Sequence, residues 1–157
     1  MQIRELNNKD DLKLLVQLSK DFFYEYESNH SYFFKIDKIE DDDIIGYFAR
    51  FVDNEDRKAF VAVEGSVIVG YISVLIQEQA NYWKIKSIGH ISGLMVDKRH
   101  RRKGAGRLLL QAAEEFFKSK GLKQYTLFTS VNNTGGIEFY EKYGLEKLYT
   151  TMMGEIE

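Results

Sequence analysis

The sequence predicts a single α/β (α+β) domain over residues 1–157, with a mixed, mostly antiparallel sheet of about six or seven strands flanked by about four helices. Three observations carry that expectation. Two β-rich runs, Ala59 to Val63 and Val67 to Ile76, are separated by Glu64-Gly65-Ser66, a length and composition that suit a tight hairpin. A third apolar run, Ile85 to Val96, leads through a basic loop bearing glycines into an amphipathic helix. A length of 157 residues with 44% hydrophobic side chains is that of one domain around one shared core.

In chain order, Gln2 to Leu6 reads as a short strand. Asn7-Asn8 then offers an N-cap for a helix whose apolar stripe is Leu12, Leu15, Val16, Phe22 and Phe23. From Glu25 to Lys38 the chain is aromatic and polar without a clear period, which suits an ordered loop or short helix. Glu40-Asp41-Asp42-Asp43 suits the positive end of a second helix carrying Ile44, Ile45, Phe48 and Phe51. The hairpin follows, and then the run Ile85 to Val96, where Gly89 and Gly93 mark a bulge or a close backbone approach. Ala105, Leu109, Ala112, Ala113 and Phe116 share one face of a helix from Gly104 to Lys118 that ends near Gly121. Gln124 to Val131 is a strand, Asn133 to Tyr143 a short helix stopped by Gly144, and Leu148 to Ile156 a closing strand.

Bulk properties narrow the function. The 22 basic and 24 acidic residues give a net charge of −2, which argues against a surface built to meet nucleic acid. No apolar run reaches the ~20 residues of a membrane helix, and Met1-Gln2-Ile3-Arg4-Glu5 does not open a signal peptide, so a cytoplasmic protein without a membrane partner is expected. With no cysteine there is no thiolate ligand or nucleophile, and His30, His90 and His100 are the only imidazoles, so no metal site is expected.

The most informative stretch is Leu94-Met95-Val96-Asp97-Lys98-Arg99-His100-Arg101-Arg102-Lys103-Gly104-Ala105-Gly106-Arg107, between a strand and a helix. A helix N-terminus exposes unpaired N–H groups and partial positive charge, and glycines let the backbone approach an anion closely. Arg101, Arg102, Lys103 and Arg107 add formal charge. The loop lacks both the glycine-lysine-serine/threonine ending of a Walker A loop and the three-glycine spacing of a dinucleotide fold.

Arg101-Arg102-Lys103-Gly104-Ala105-Gly106 after a strand ending in Leu94-Met95-Val96-Asp97, together with Asn133 and Phe139-Tyr140-Glu141-Lys142-Tyr143-Gly144-Leu145, resembles the general-control-related N-acetyltransferase (GNAT) superfamily. The resemblance runs from about Ala59 to the C-terminus and more loosely over the first two helices. One departure is Gly135-Gly136, where the family often carries alanine three residues after the asparagine; glycine there weakens a helix start.

The resemblance implies a fold with two adjacent parallel strands, here Ile85 to Val96 and Gln124 to Val131, splayed around the pantetheine arm of acetyl-CoA, the cosubstrate. Backbone groups of Leu94, Met95 and Val96 would lie along that arm, one N–H polarising the thioester carbonyl. Amides of Arg101, Arg102, Lys103, Gly104, Ala105 and Gly106 would hold the pyrophosphate, and Asn133 would contact the arm or brace the loop. Tyr140 matches the family tyrosine that points at the thioester sulfur, where a phenol can give a proton or a hydrogen bond to the departing thiolate. His90, 11 residues before Arg101, occupies the strand position where several members carry a base. Its alternative is a hydrogen-bonded structural histidine, and that of Tyr140 a packed aromatic.

The expected function is acetyl transfer to a primary amine by direct attack in a ternary complex. The acceptor is left open between a small-molecule amine and a protein or peptide amine. Tyr24, Tyr26, Tyr32 and Phe33, with Glu25 and Glu27, are candidates for a pocket that takes an organic cation. A homodimer is expected by analogy with the family. Two rivals stand beside this reading: a catalytically silent acyl-CoA sensor, and a nucleic-acid module built on Lys98 to Arg107.

Overall fold

The computed structural model describes residues 1–10 and 12–157. Its five-stranded sheet has the order β1 (Gln2–Glu5), β2 (Arg57–Glu64), β3 (Val67–Glu78), β4 (Ser87–Val96), β5 (Tyr125–Leu127). The first three pairings are antiparallel and the last, β4 with β5, is parallel. Helices α1 (Val16–Asn29) and α2 (Asp41–Ala49) precede β2, α3 (Ala105–Ser119) links β4 to β5, and α4 (Thr134–Tyr143) follows β5.

Alternation along the strands splits the apolar residues into two layers. Tyr71 and Met95 join Phe48, Phe51, Leu15 and Ile44 beneath α1 and α2. Ile72, Val74 and Ile91 join Leu109, Leu110, Ala113 and Phe117 beneath α3. Each Leu, Ile, Val, Phe or Met among these contributes about 1.5–3 kcal/mol when fully buried, so the two layers hold the sheet from both sides. The one shared core expected from composition is thus two clusters on opposite faces. At Gly89 an added Cβ would lie 2.6 Å from the Phe117 ring, which explains glycine at that position. Beside Gly93, Ser73 pairs with Gly93 and Val74 with Ile91, so Ser92 is the extra residue of a bulge.

The element order agrees with the sequence reading, with four differences. Asn7 does not cap α1: its side chain accepts from the Lys9 amide in a turn, and a 3-10 turn over Leu12–Leu15 precedes the helix. Glu25 to Asn29, expected to lack a period, are the end of α1. The strand expected over Gln124 to Val131 is only Tyr125–Leu127, because the next carbonyl, that of Phe128, accepts from the Tyr26 hydroxyl at 3.3 Å instead of a neighbouring strand. Leu148 to Ile156 forms no strand, so the sheet has five strands rather than six or seven. A strand needs a ladder partner, and this tail lies against none among the described residues.

Candidate functional site

Parallel pairing between β4 and β5 covers only Gly89–Tyr125, His90–Thr126 and Ile91–Leu127. Beyond these rungs β4 runs on to Val96 paired to β3 alone, while the chain after β5 turns away toward α4. The two strands therefore part as the sequence reading expected. A cleft of about 600 Å³ opens between them, with Leu94, Met95 and Val96 on one wall and Phe139 and Tyr140 of α4 on the other. The far edge of β4 from Ser92 to Val96 has no strand partner among the described residues, so its N–H and C=O groups face the opening.

One end of the cleft is a basic, glycine-bearing loop of a kind that can cradle an anion. Asp97 organises it by accepting from the Arg99 amide at 2.9 Å and from the Arg99 and His100 side chains. Bonding to Arg99 holds the Asp97 carboxyl well below the usual carboxylate range. Arg102 at φ +61° and Gly104 at φ +88° then turn the backbone into the first turn of α3. Left-handed residues in such a loop aim successive N–H groups inward, and glycine at Gly104 adopts that conformation without strain. Arg101, Arg102, Gly104, Ala105, Gly106 and Arg107 line the cleft, whereas Lys103 is exposed and lies outside the lining. The Arg101 guanidinium is already engaged: Nε donates to the Val96 carbonyl at 2.8 Å and one NH2 group to Glu25 at 2.6 Å. Its side chain therefore braces the cradle against α1, leaving the backbone to meet an anion.

Toward the other end, at the paired rungs, stands His90, and Tyr140 of α4 also lines the cleft. His90 is half-buried, and burial lowers its pKa below the usual histidine value, which favours the neutral, proton-accepting ring. Its Nδ1 lies 3.0 Å from Thr126 Oγ1, and its ring centroid 5.2 Å from that of Phe128. Tyr140 lines the cleft, and burial, with a smaller effect from Tyr26, pushes its pKa up to about 12. It therefore keeps its proton at neutral pH. Asn133 lines the cleft and also braces it: it caps α4 by accepting from the Gly136 amide at 3.1 Å and donates to Thr129 Oγ1 at 3.0 Å. The Gly136 departure has a local reason here, since a Cβ at that position would collide with the Asn133 side chain.

Ser92, the bulged residue, closes a ring of three hydroxyls with Ser73 and Tyr47, at 2.8 to 2.9 Å. His100 turns away from the cleft, with Nε2 3.2 Å from Glu64. His30 accepts from the Phe33 amide at the end of α1, which makes it structural. Of the aromatic residues expected to line an acceptor pocket, only Tyr26 does so. Tyr24, Tyr32 and Phe33 lie outside, and Glu27 is spent on the Ile36 amide. Sequence reasoning did not pick out Phe22, Asn29, Thr126 or Phe128 for the site. They reach the cleft or its base through the packing of α1 and the β5 register, for which the sequence carries no local signal.

The model of the Acetyltransferase (GNAT) family matches residues 2–145. The chain belongs to that family. An uncharacterised N-acetyltransferase of Methanocaldococcus jannaschii is 28% identical over 139 residues, 88% of this chain and 58% of its own length. N-alpha-acetyltransferase 30 of Schizosaccharomyces pombe is 29% identical over 94 residues, 60% of this chain and 61% of its own length. The chain thus spans less than two thirds of either relative. Among solved structures, the Bacillus halodurans protein BH1408 superposes with a TM-score of 0.85 at 20% identity, over 99% of this chain and 100% of that one. The aminoglycoside N-acetyltransferase AAC(6')-Iy, solved in complex with CoA, superposes with a TM-score of 0.79 at 18% identity, over 99% and 93% of the two chains. The structural likenesses speak to the fold: the parted β4–β5 pair belongs to a GNAT architecture.

Proposed function

We propose that residues 1–157 are one catalytic domain that transfers an acetyl group from acetyl-CoA to a primary amine by direct attack in a ternary complex. The observation that carries this reading is a single cleft along an unpaired strand edge, with a basic, glycine-bearing loop at one end, His90 toward the other and Tyr140 on its wall. The backbone of Leu94, Met95 and Val96 holds the pantetheine arm as an added strand would. The amides from Arg101 to Gly106, with the charge of Arg102 and Arg107, hold the pyrophosphate. Lys103 contributes only long-range attraction from its exposed position.

The amine nitrogen bonds to the thioester carbon and the carbon–sulfur bond breaks, with the electron pair leaving on sulfur. His90 takes the proton that the ammonium must lose before attack, directly or through water; the second proton, shed by the nitrogen as the amide forms, passes through water to the CoA thiolate, which leaves as the thiol. Tyr140 faces the departing sulfur. With a phenol pKa near 12 against ~8.5 for a thiol, full proton transfer from Tyr140 is uphill, so its part is hydrogen-bond donation to the thiolate. The acceptor is a small-molecule amine or a protein or peptide amine; a structural neighbour named as an aminoglycoside N-acetyltransferase supports the first class and a relative named as an N-alpha-acetyltransferase the second. We place the enzyme in the cytoplasm as a homodimer, supported by the apolar tail left uncovered after α4.

A panel of amines assayed for CoA release tests this reading. Turnover with at least one amine is expected. Acetyl-CoA binding without release across aminoglycosides, polyamines, amino acids and peptide N-termini would leave a binding role only.

A further inference from the structure

We propose that Thr126 is the positioning residue of the acceptor-side base, accepting a hydrogen bond from Nδ1–H of His90 so that Nε2 presents its lone pair to the cleft. The inference rests on the reading of His90 as the base. His90 and Thr126 face each other in the three-rung parallel pairing just before β4 and β5 part, with Nδ1 and Oγ1 3.0 Å apart. Nε2 makes no hydrogen bond to any described residue. The Phe128 ring packs on the imidazole at 5.2 Å, which limits its rotation.

An imidazole that gains a proton at Nε2 must already carry one at Nδ1, and that proton needs an acceptor both before and after the transfer. A hydroxyl oxygen serves in both states without moving. The opposite arrangement, with Thr126 donating, would put the proton on Nε2 and leave the ring nothing to accept with. Threonine is β-branched and stiff at χ1, so its hydroxyl direction is set by the strand.

The choice of a neutral partner also has a consequence. A carboxylate at this position would favour the charged ring, whereas a hydroxyl orients it and leaves burial to keep it neutral. The titratable and charged groups lining the same cleft are Glu25 and Tyr26 of α1, Arg101, Arg102 and Arg107 of the loop and the start of α3, and Glu138, Tyr140 and Lys142 of α4, and none of them hydrogen-bonds to His90. From β3 the neighbour in register is Leu75, which does not titrate.

The test compares Thr126→Val, which keeps the shape and removes the hydroxyl, with Thr126→Ser, which keeps the hydroxyl, and with His90→Ala. Thr126→Val is expected to lower kcat about tenfold to a hundredfold, part of the 10²- to 10⁴-fold typical of a general base, with the acetyl-CoA-induced thermal shift unchanged. Nitrogen NMR of His90 should show Nδ1 protonated in the wild type and a tautomer mixture in Thr126→Val, and Thr126→Ser should restore both rate and tautomer. Wild-type kcat in Thr126→Val, or an Nε2-protonated ring in the wild type, would overturn the assignment. If instead His90→Ala keeps the wild-type rate and pH profile, the base reading itself fails, and the catalytic role of Thr126 falls with it; the tautomer measurement tells the two failures apart.

Discussion

In the proposed mechanism Tyr140 and His90 hold opposite protonation tasks in one cleft, and burial shifts both in the direction that mechanism needs. It pushes the Tyr140 phenol up to about 12, so the hydroxyl remains a donor throughout the assay range. Tyr140→Phe removes one oxygen and keeps the ring, so loss of the hydrogen bond to the thiolate should lower kcat about 10²- to 10³-fold with acetyl-CoA affinity changed by less than about threefold. Full turnover in Tyr140→Phe would make the residue a packed aromatic. The same burial lowers the His90 pKa, so the acid limb of the rate profile should lie below the ordinary histidine value of 6.5. His90→Ala should remove that limb and slow the reaction most near neutral pH, less at alkaline pH where more free amine exists. A profile superimposable on wild type would make His90 structural. Linkage has a defined sign as well. Above pH 6.5 both folded and unfolded His90 are neutral and nothing is lost. As pH falls below it, the unfolded chain takes up a proton that the folded site resists, so stability declines.

The anion cradle between β4 and α3 depends on backbone conformation more than on charge. Gly104, at φ +88°, turns the chain into α3, and a β-branched residue there is strained by about 1–3 kcal/mol even though a Cβ would meet no atom within 4 Å. Gly104→Val should therefore lower the apo Tm modestly and abolish the stabilisation that acetyl-CoA confers. A folded variant with an undiminished ligand-induced shift would remove the loop from the site. The brace from Arg101 to Glu25 ties this loop to α1, and the Tyr26 and Asn29 bonds tie α1 to the opposite wall through the Phe128 carbonyl and Asn132. One helix thus spans both sides of the opening.

Across the whole molecule, apolar surface is buried on both faces of the sheet but left uncovered at one end. Leu110 of α3 is fully buried against the sheet, and Leu110→Ala should cost about 2–5 kcal/mol, read as a fall in Tm. After α4 the situation reverses: Leu148 is 74% exposed and Met152 86%, and Tyr149, 63% exposed, sits edge-on to the Phe128 ring. Exposed apolar segments of this kind favour association. Light scattering at micromolar concentration should show a species of twice 18.4 kDa, reduced to one copy by Leu148→Asp with Met152→Asp. An 18.4 kDa species alone would end the homodimer proposal.

The sequence by itself determined the elements whose signals are local. The hairpin at Glu64-Gly65-Ser66, the amphipathic α3, the glycine-bearing cradle and the capped α4 each carry their instructions within a few residues, through turn chemistry, period or cap. Residue types at fixed spacing likewise placed His90, Tyr140 and the loop from Arg101 to Gly106 on the right elements. Only the tertiary structure decided where strands end and which side chains meet. Leu148 to Ile156 has the composition of a strand, yet composition supplies no ladder partner, and β5 stops at Leu127 because a tyrosine from α1 takes the next carbonyl. The reach of Glu25 to Arg101, of Tyr26 to Phe128 and of Thr126 to His90 spans 76, 102 and 36 residues of chain. Contacts at such separations arise from packing and register, and no local pattern encodes them.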